Sequence, residues 1–232
     1  MKQVCTLFFI AIAISTTAQK NPPVQAQKCL GGTKSESADA ISETKDGGCI
    51  ISGYSNSNDG DVSGLHGIYY DAWLIKLNRY GTIEWQKCFG GSKYENARSV
   101  HQTADGGFIF TGPSYSNDGD IANHYGFTIY SDYWVVKLDG SGNIQWQNSL
   151  GGTDDDYPAK IQQTKDSGYI VIGYSNSNNR DVTGNHGGAD CWAVKLNSMG
   201  KIQWQKSLGG AWPDNGESIQ QTKDNGYIIA GS

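Results

Sequence analysis

The residues with most chemistry to offer sit in three long polar stretches, "YSNSNDGDVSGLHG" (54–67), "SYSNDGDIANHYG" (114–126) and "YSNSNNRDVTGNHG" (174–187). Lined up, they keep Asn58, Asn117 and Asn178, then Asp61, Asp120 and Asp181, then His66, His124 and His186, and finally Asp71, Asp132 and Asp190. A hard cation such as Ca²⁺ takes about six to eight oxygen ligands from carboxylates, amides and carbonyls. The asparagines and aspartates of this set are therefore candidate calcium ligands. A histidine with two carboxylates is also zinc chemistry, although a catalytic metal is seldom written three times over. Two features weigh against calcium: Gly60 stands where an EF-hand loop needs a ligand, and Asn56 and Asp59 become Tyr115 and Asn179 in other copies. The competing reading is local: Asn and Asp cap turns, and a His bonded to an Asp fixes a loop.

Trp212, in the loop "GGAWPD", is the best single candidate for an exposed aromatic contact. With Asp61, His66, Asp120, His124, Asp181 and His186 it makes up the candidate ligand-binding set. Six further tryptophans (Trp73, Trp85, Trp134, Trp146, Trp192, Trp204) recur on strands, where indoles fill space between packed layers. Lys76, Lys137 and Lys195 recur in "W-x-x-K-L" and read as strand residues with solvated amines.

No Gly-x-Ser-x-Gly elbow, His-Glu-x-x-His helix or phosphate loop is present. The three arginines, Arg79, Arg98 and Arg180, fall in different local contexts and do not read as a cluster for a carboxylate substrate. A carboxylate pair for glycoside hydrolysis stays open, because sequence gives no separation between acids. The expectation is a non-catalytic module that meets a glycan or protein partner, with a spacer array or a propeller glycosidase as alternatives.

These residues are positioned by a repeat. The anchor "LGG" or "FGG" recurs at Gly31, Gly90, Gly151 and Gly209, spaced 59, 61 and 58 residues apart. Each unit holds four short runs rich in Ile, Val, Trp, Tyr and Thr, bounded by Gly, Asn and Asp, which is the strand signal. Turns such as "KDGG", "ADGG", "KDSG" and "KDNG" suit tight hairpins. Four antiparallel strands per unit of about 60 residues predicts an all-β, β-propeller-like fold. A partial strand at Val24–Cys29, three full sets and two last strands make about four blades, the last incomplete. Repeated sandwiches or a β-solenoid are the alternative. The predicted repeat domain runs from 24 to 232, after a linker at 19–23.

Antiparallel succession makes connections alternate between two sides. The "DGG" and "NRYG" hairpins share one side; the long loops and the loops after each double glycine, with Glu36, Glu95, Asp156 and Asp214, share the other. Partners are expected on the second side, where loop length and chemistry concentrate.

Residues 1–18 read as an export signal: Lys2, the apolar run Leu7 to Ile14, and small residues up to a cleavage point near Ala18. No segment approaches the roughly 20 apolar residues of a membrane span, so a secreted or cell-surface product is expected. The net charge of −5 disfavours nucleic acid, which needs a basic surface. Cys29, Cys49, Cys88 and Cys191 stand where other copies have Ser, Phe, Tyr or Ala, so mostly buried thiols are expected rather than bridges.

The formula "WQK-FGGS…QQT-DGGYI…GYSNSNDGDV-G-HG…D-W-VKL" resembles propeller-type repeats of secreted proteins from Bacteroidetes-like bacteria, which often carry a type IX secretion sorting domain. The resemblance covers about Val24 to Ser232 and implies secretion and a propeller-like fold, with no established activity. A weaker resemblance is to the Asp box of sialidase-like propellers, through Thr44, Asp46 and Gly48 and their counterparts in three further copies. It implies a structural hairpin between a blade's third and fourth strands.

Overall fold

The computed structural model describes residues 9–10 and 26–232. The export signal and linker otherwise lie outside the described residues. A two-residue ladder joins β1 (Phe9–Ile10) to β2 (Ala26–Gln27), the latter within the predicted partial strand.

The repeat emerges as three four-stranded antiparallel sheets and one two-stranded sheet. The first sheet holds β3 (Glu36–Glu43), β4 (Cys49–Ser55), β5 (Asp71–Leu77) and β6 (Ile83–Phe89). The second holds β7 (Ser99–Gln102), β8 (Phe108–Ser114), β9 (Asp132–Leu138) and β10 (Ile144–Leu150). The third holds β11 (Asp156–Gln163), β12 (Tyr169–Ser175), β13 (Asp190–Leu196) and β14 (Ile202–Leu208), and β15 (Gly216–Gln221) pairs with β16 (Tyr227–Gly231). No helix occurs among the described residues.

Sheets pack face to face in chain order. Ile50, Leu74 and Phe89 of the first sheet meet Phe110, Trp134 and Val136 of the second. Ile109, Tyr133 and Val135 then meet Val171, Trp192 and Val194, and Ile170 and Ile172 meet Ile219 and Ile229. The third strand of each full sheet is buried along its whole length, which is why "DAWLIKL" does not alternate apolar with polar. Trp134 and Trp192 fill these layers as expected, whereas Trp73 packs with Ile51, Val62 and Ile75 on the other face of the first sheet; each indole N–H donates to a glutamine on the next strand. A Trp→Ala change at such a site typically costs about 3–5 kcal/mol. Trp85 and Trp146 are half-buried beneath the next sheet's hairpins at Gly142 and Gly200, and Trp204 is exposed.

Neighbouring sheets also touch along their first strands. Ala97 N–H donates to Gly53 O (3.1 Å), Asn96 Nδ2 to Asp39 (2.6 Å) and Ile161 N–H to Ser99 Oγ (3.3 Å). These contacts bring the start of each sheet against the sheet before it.

The "DGG" hairpins join first and second strands, not third and fourth as the Asp-box resemblance implies. The turn chemistry matches nonetheless: Asp46 Oδ1 accepts from the Thr44 hydroxyl and from Gly48 N–H, and three further copies repeat this. At the second turn glycine, such as Gly107, an added Cβ would collide with the Leu138 carbonyl on the third strand.

The lysines overturn the solvated-amine expectation. Lys76, Lys137 and Lys195 are 3–4 % exposed, and their amines pair with Asp46, Asp105 and Asp166 at 2.8–2.9 Å. Each amine also donates to the next residue's carbonyl and to a neighbouring Glu84, Gln145 or Gln203. A sheet covered on both faces leaves no route to water, so the hairpin aspartate supplies the counter-charge. Hydrogen bonds from Thr164 and Lys195 hold Asp166 at about 2; at Asp105, burial works against Thr103 and Lys137 and the result is again about 2.

Among the cysteines, Cys88 and Cys191 are buried thiols, their pKa pushed up by burial to about 12 and about 11. Cys49 is half-buried and Cys29 is exposed, so burial holds for only part of the set.

Candidate functional site

The long loops (56–70, 115–131 and 176–189) and the double-glycine loops lie on one side, as alternation requires. Each long loop is tied to the double-glycine loop at the head of its own unit. Asp61, Asp120 and Asp181 accept from the N–H of Gly31, Gly90 and Gly151 at 3.1–3.3 Å. Asp59, Asp118 and Asn179 accept from Thr33, Ser92 and Thr153, and Ser57, Ser116 and Ser177 accept from Lys34, Lys93 and Asp154. The serines carried no signal in the sequence, although "S-N-S-N" and "Y-S-N" repeat, and the exchange of Asp59 for Asn179, which weighed against calcium, keeps the acceptor that pins the loop.

Asn58 accepts from Gly64 and Leu65, and Asn178 accepts weakly from Asn185, so these candidate metal ligands cap turns within their loops. Asn117 is exposed. Asp71 and Asp190 each take the backbone N–H and ring Nδ1 of His66 and His186, the ring contacts being 2.7 Å. Among the described residues no group of three His, Cys, Asp or Glu side chains has an arrangement that holds a metal ion. The geometry brings the candidates into loop-pinning roles.

The second copy corrects the alignment. Between the aspartates its loop is two residues longer than in the first copy and three longer than in the third, and the N–H that binds Asp132 belongs to Tyr125, not His124. Tyr125 therefore takes the place of His66 and His186. His124 is buried and 3.2 Å from Asp132, but the pair is misaligned for a hydrogen bond, and a contact with the Phe127 backbone opposes the effect of burial on the ring. Burial lowers its pKa, so the ring is held neutral.

Carboxylates line the sheet junctions in pairs, all buried except the half-buried Asp214. Asp71 faces Glu95 beside Gly90, Asp132 faces Asp156 beside Gly151, and Asp190 faces Asp214 beside Gly209. Burial pushes Asp132 up to about 8 and Asp156 to about 6; in Asp71 and Glu95 it also raises the pKa against opposing hydrogen bonds. At Asp132 the charges of Asp156 and Asp181 add to the effect.

The same side carries exposed apolar groups: Ile68, Tyr69, Phe127 and Ile129 on the long loops, and Trp212, 83 % exposed, on a double-glycine loop. Trp212 stands as expected; the other four lie at loop positions that do not repeat. The arginines stay apart in role: Arg79 is over Tyr80, Arg180 over Tyr125 and Arg98 over Tyr157.

Comparison of the sequence with protein-family models and with curated proteins finds no match.

Proposed function

We propose that the chain is an exported, propeller-like, non-catalytic interaction module that meets a glycan or protein partner on its long-loop side. One observation carries the reading: loops fixed by repeated internal hydrogen bonds hold apolar side chains out into water on that side. Fixing a loop lowers the entropy lost when it binds, and exposed aromatic and aliphatic groups grouped on one side mark contact surfaces. The four sheets, stacked in order with the start of each against the sheet before it, support a blade-like arrangement that would gather these loops around one axis. The pattern of residues 1–18 supports export.

The test is selection of ligands for the immobilised full chain from a glycan panel and a random-peptide display library. Variants Ile68→Ser, Phe127→Ser and Trp212→Ala should lose the selected ligands, and Tyr80→Ser and Met199→Ser, on the opposite hairpins, should keep them. Ligands that survive all three long-loop changes would contradict the reading.

A further inference from the structure

Six tyrosines gather at the long-loop end of the first and second strands. Tyr54 lies 5.0 Å from Tyr70 and 6.0 Å from Tyr94, ring centre to ring centre. Tyr94 lies 5.9 Å from both Tyr70 and Tyr115. Tyr157 stacks on Tyr174 at 5.7 Å and 10°. Ser131, at the end of the loop that begins with Tyr115, donates to Asp155 Oδ1 (2.9 Å) and accepts from Asp156 N–H (2.7 Å) just before Tyr157, which joins the two groups into one cluster drawn from three sheets. Every ring is half-buried, seated yet open to solvent.

Charged groups enter beside the rings through a feature of the backbone. The first strand of a sheet carries a bulge at one repeated place, leaving Asp39, Ala159 and Glu217 outside the ladder register. Arg98 takes the equivalent position just before β7, its N–H donating to Thr111. Bulges re-aim side chains and are over-represented beside functional sites. The Arg98 guanidinium lies 5.1 Å over the Tyr157 ring and feels the charges of both Asp39 and Glu217. Asp39 and Glu217 are exposed, and Asp39 also accepts from Asn96 of the next sheet.

We infer that this cluster is a binding site for a neutral glycan, a deepening that rests on the interaction-module reading. Open tyrosine faces offer apolar platforms with hydroxyl tips, which suit a sugar's C–H face and rim. The Arg98 fork donates to paired hydroxyls, and Asp39 and Glu217 accept from them. Arg98 stands against three carboxylates, Asp39, Glu217 and Asp155, the last accepting from Ser131, so an anionic ligand gains no advantage. Arg98 already occupies the cation position over Tyr157, which leaves that face closed to a cationic ligand.

The experiment is calorimetric titration of the full chain with neutral gluco-, manno-, galacto- and xylo-oligosaccharides, with an oligo-uronate and a lysine-rich peptide as contrasts. At least one neutral oligosaccharide should bind, with affinity unchanged between roughly 50 and 500 mM salt. Arg98→Ala and Glu217→Ala should each weaken it about tenfold or more, and Tyr80→Ser, on the opposite hairpins, should leave it unchanged. Glu217 is exposed, so its variant keeps the fold and serves if Arg98→Ala lowers the melting temperature. No neutral oligosaccharide binding at about 5 mM, or binding indifferent to Arg98→Ala and Glu217→Ala, overturns the inference. A peptide ligand sensitive to Trp212 and Phe127, without glycan binding, overturns it and leaves the interaction-module reading standing; no ligand of either kind overturns both.

Discussion

The buried lysines allow one consequence to be worked through. Lys137 Nζ meets Leu138 O, Gln145 Oε1 and Asp105 Oδ2, each at 2.9 Å, so all three ammonium protons are used. Asp105→Asn keeps the Oδ1 acceptor for Thr103 and Gly107, but it removes the counter-charge and turns a donor toward the ammonium. Breaking a buried pair costs about 3–5 kcal/mol. Because the Asp105 side chain is 57 % exposed, the solvent-screened figure here is nearer about 1.5–3 kcal/mol. Lys137→Met removes the charge itself and frees Asp105 into water, with two neutral acceptors left short and apolar packing gained in return. Its net cost is about 0–1.5 kcal/mol. For a chain of this size each kcal/mol moves the melting temperature by about 2–4 °C. Asp105→Asn should therefore lower it by roughly 3–10 °C, and the double variant should recover to the level of Lys137→Met alone. In the first sheet Glu84 is a second carboxylate 2.9 Å from Lys76, so Asp46→Asn should cost about half as much as Asp105→Asn. A double variant no more stable than Asp105→Asn, or Lys137→Met costing as much as Asp105→Asn, would refute the reasoning.

Other expectations follow from the same geometry. Asp132 and Asp156 keep protons in the folded chain that unfolded carboxyls release near about pH 4. Folded protein thus binds the extra protons, and their contribution to stability falls as pH rises from about 4 to 8. Melting between pH 6 and 9 should show the decline and Asp132→Asn should flatten it; an unchanged slope in that variant would assign the effect elsewhere. Asp105 and Asp166 act in the opposite sense, adding stability above about pH 4 that is lost as pH falls through about 2. Ile109 and Ile228 are repeat equivalents, yet the first is fully buried and the second 63 % exposed. Chemical denaturation should show Ile109→Ala costing about 2–5 kcal/mol and Ile228→Ala under about 1 kcal/mol. Ser167 sits at φ 65° where Gly47 and Gly106 take 79° and 85°. Ser167→Gly should raise stability by about 1 kcal/mol, and a loss would show that the hydroxyl matters more than the backbone.

The strands, their grouping by four and the two-sided distribution of loops were legible because each depends on local pattern: period, apolar runs and turn residues. Pairings that need register were not. Nothing in "W-x-x-K-L" says that its lysine is sealed between two sheets beside an aspartate 29 to 32 residues earlier in the chain. Aligning by residue type favoured His124, although Tyr125 stands five residues after Asp120 just as His66 and His186 stand five after Asp61 and Asp181. The tyrosine cluster was invisible for another reason: Tyr54 and Tyr174 share a repeat position, but Tyr94, Tyr115 and Tyr157 do not, so periodicity scatters what the fold gathers. The same holds for Asp39, Arg98 and Glu217, whose shared position carries two carboxylates, one guanidinium and, at Ala159, only a methyl group.

The central claim is that partners are met on the long-loop side. Its most direct measurement is the affinity of one selected glycan or peptide ligand for the full chain, a triple Ile68→Ser, Phe127→Ser, Trp212→Ala variant and a double Tyr80→Ser, Met199→Ser variant. The account predicts a loss of about tenfold or more for the triple variant and unchanged affinity for the double. Loss confined to the double variant, or equal binding by all three proteins, would contradict it.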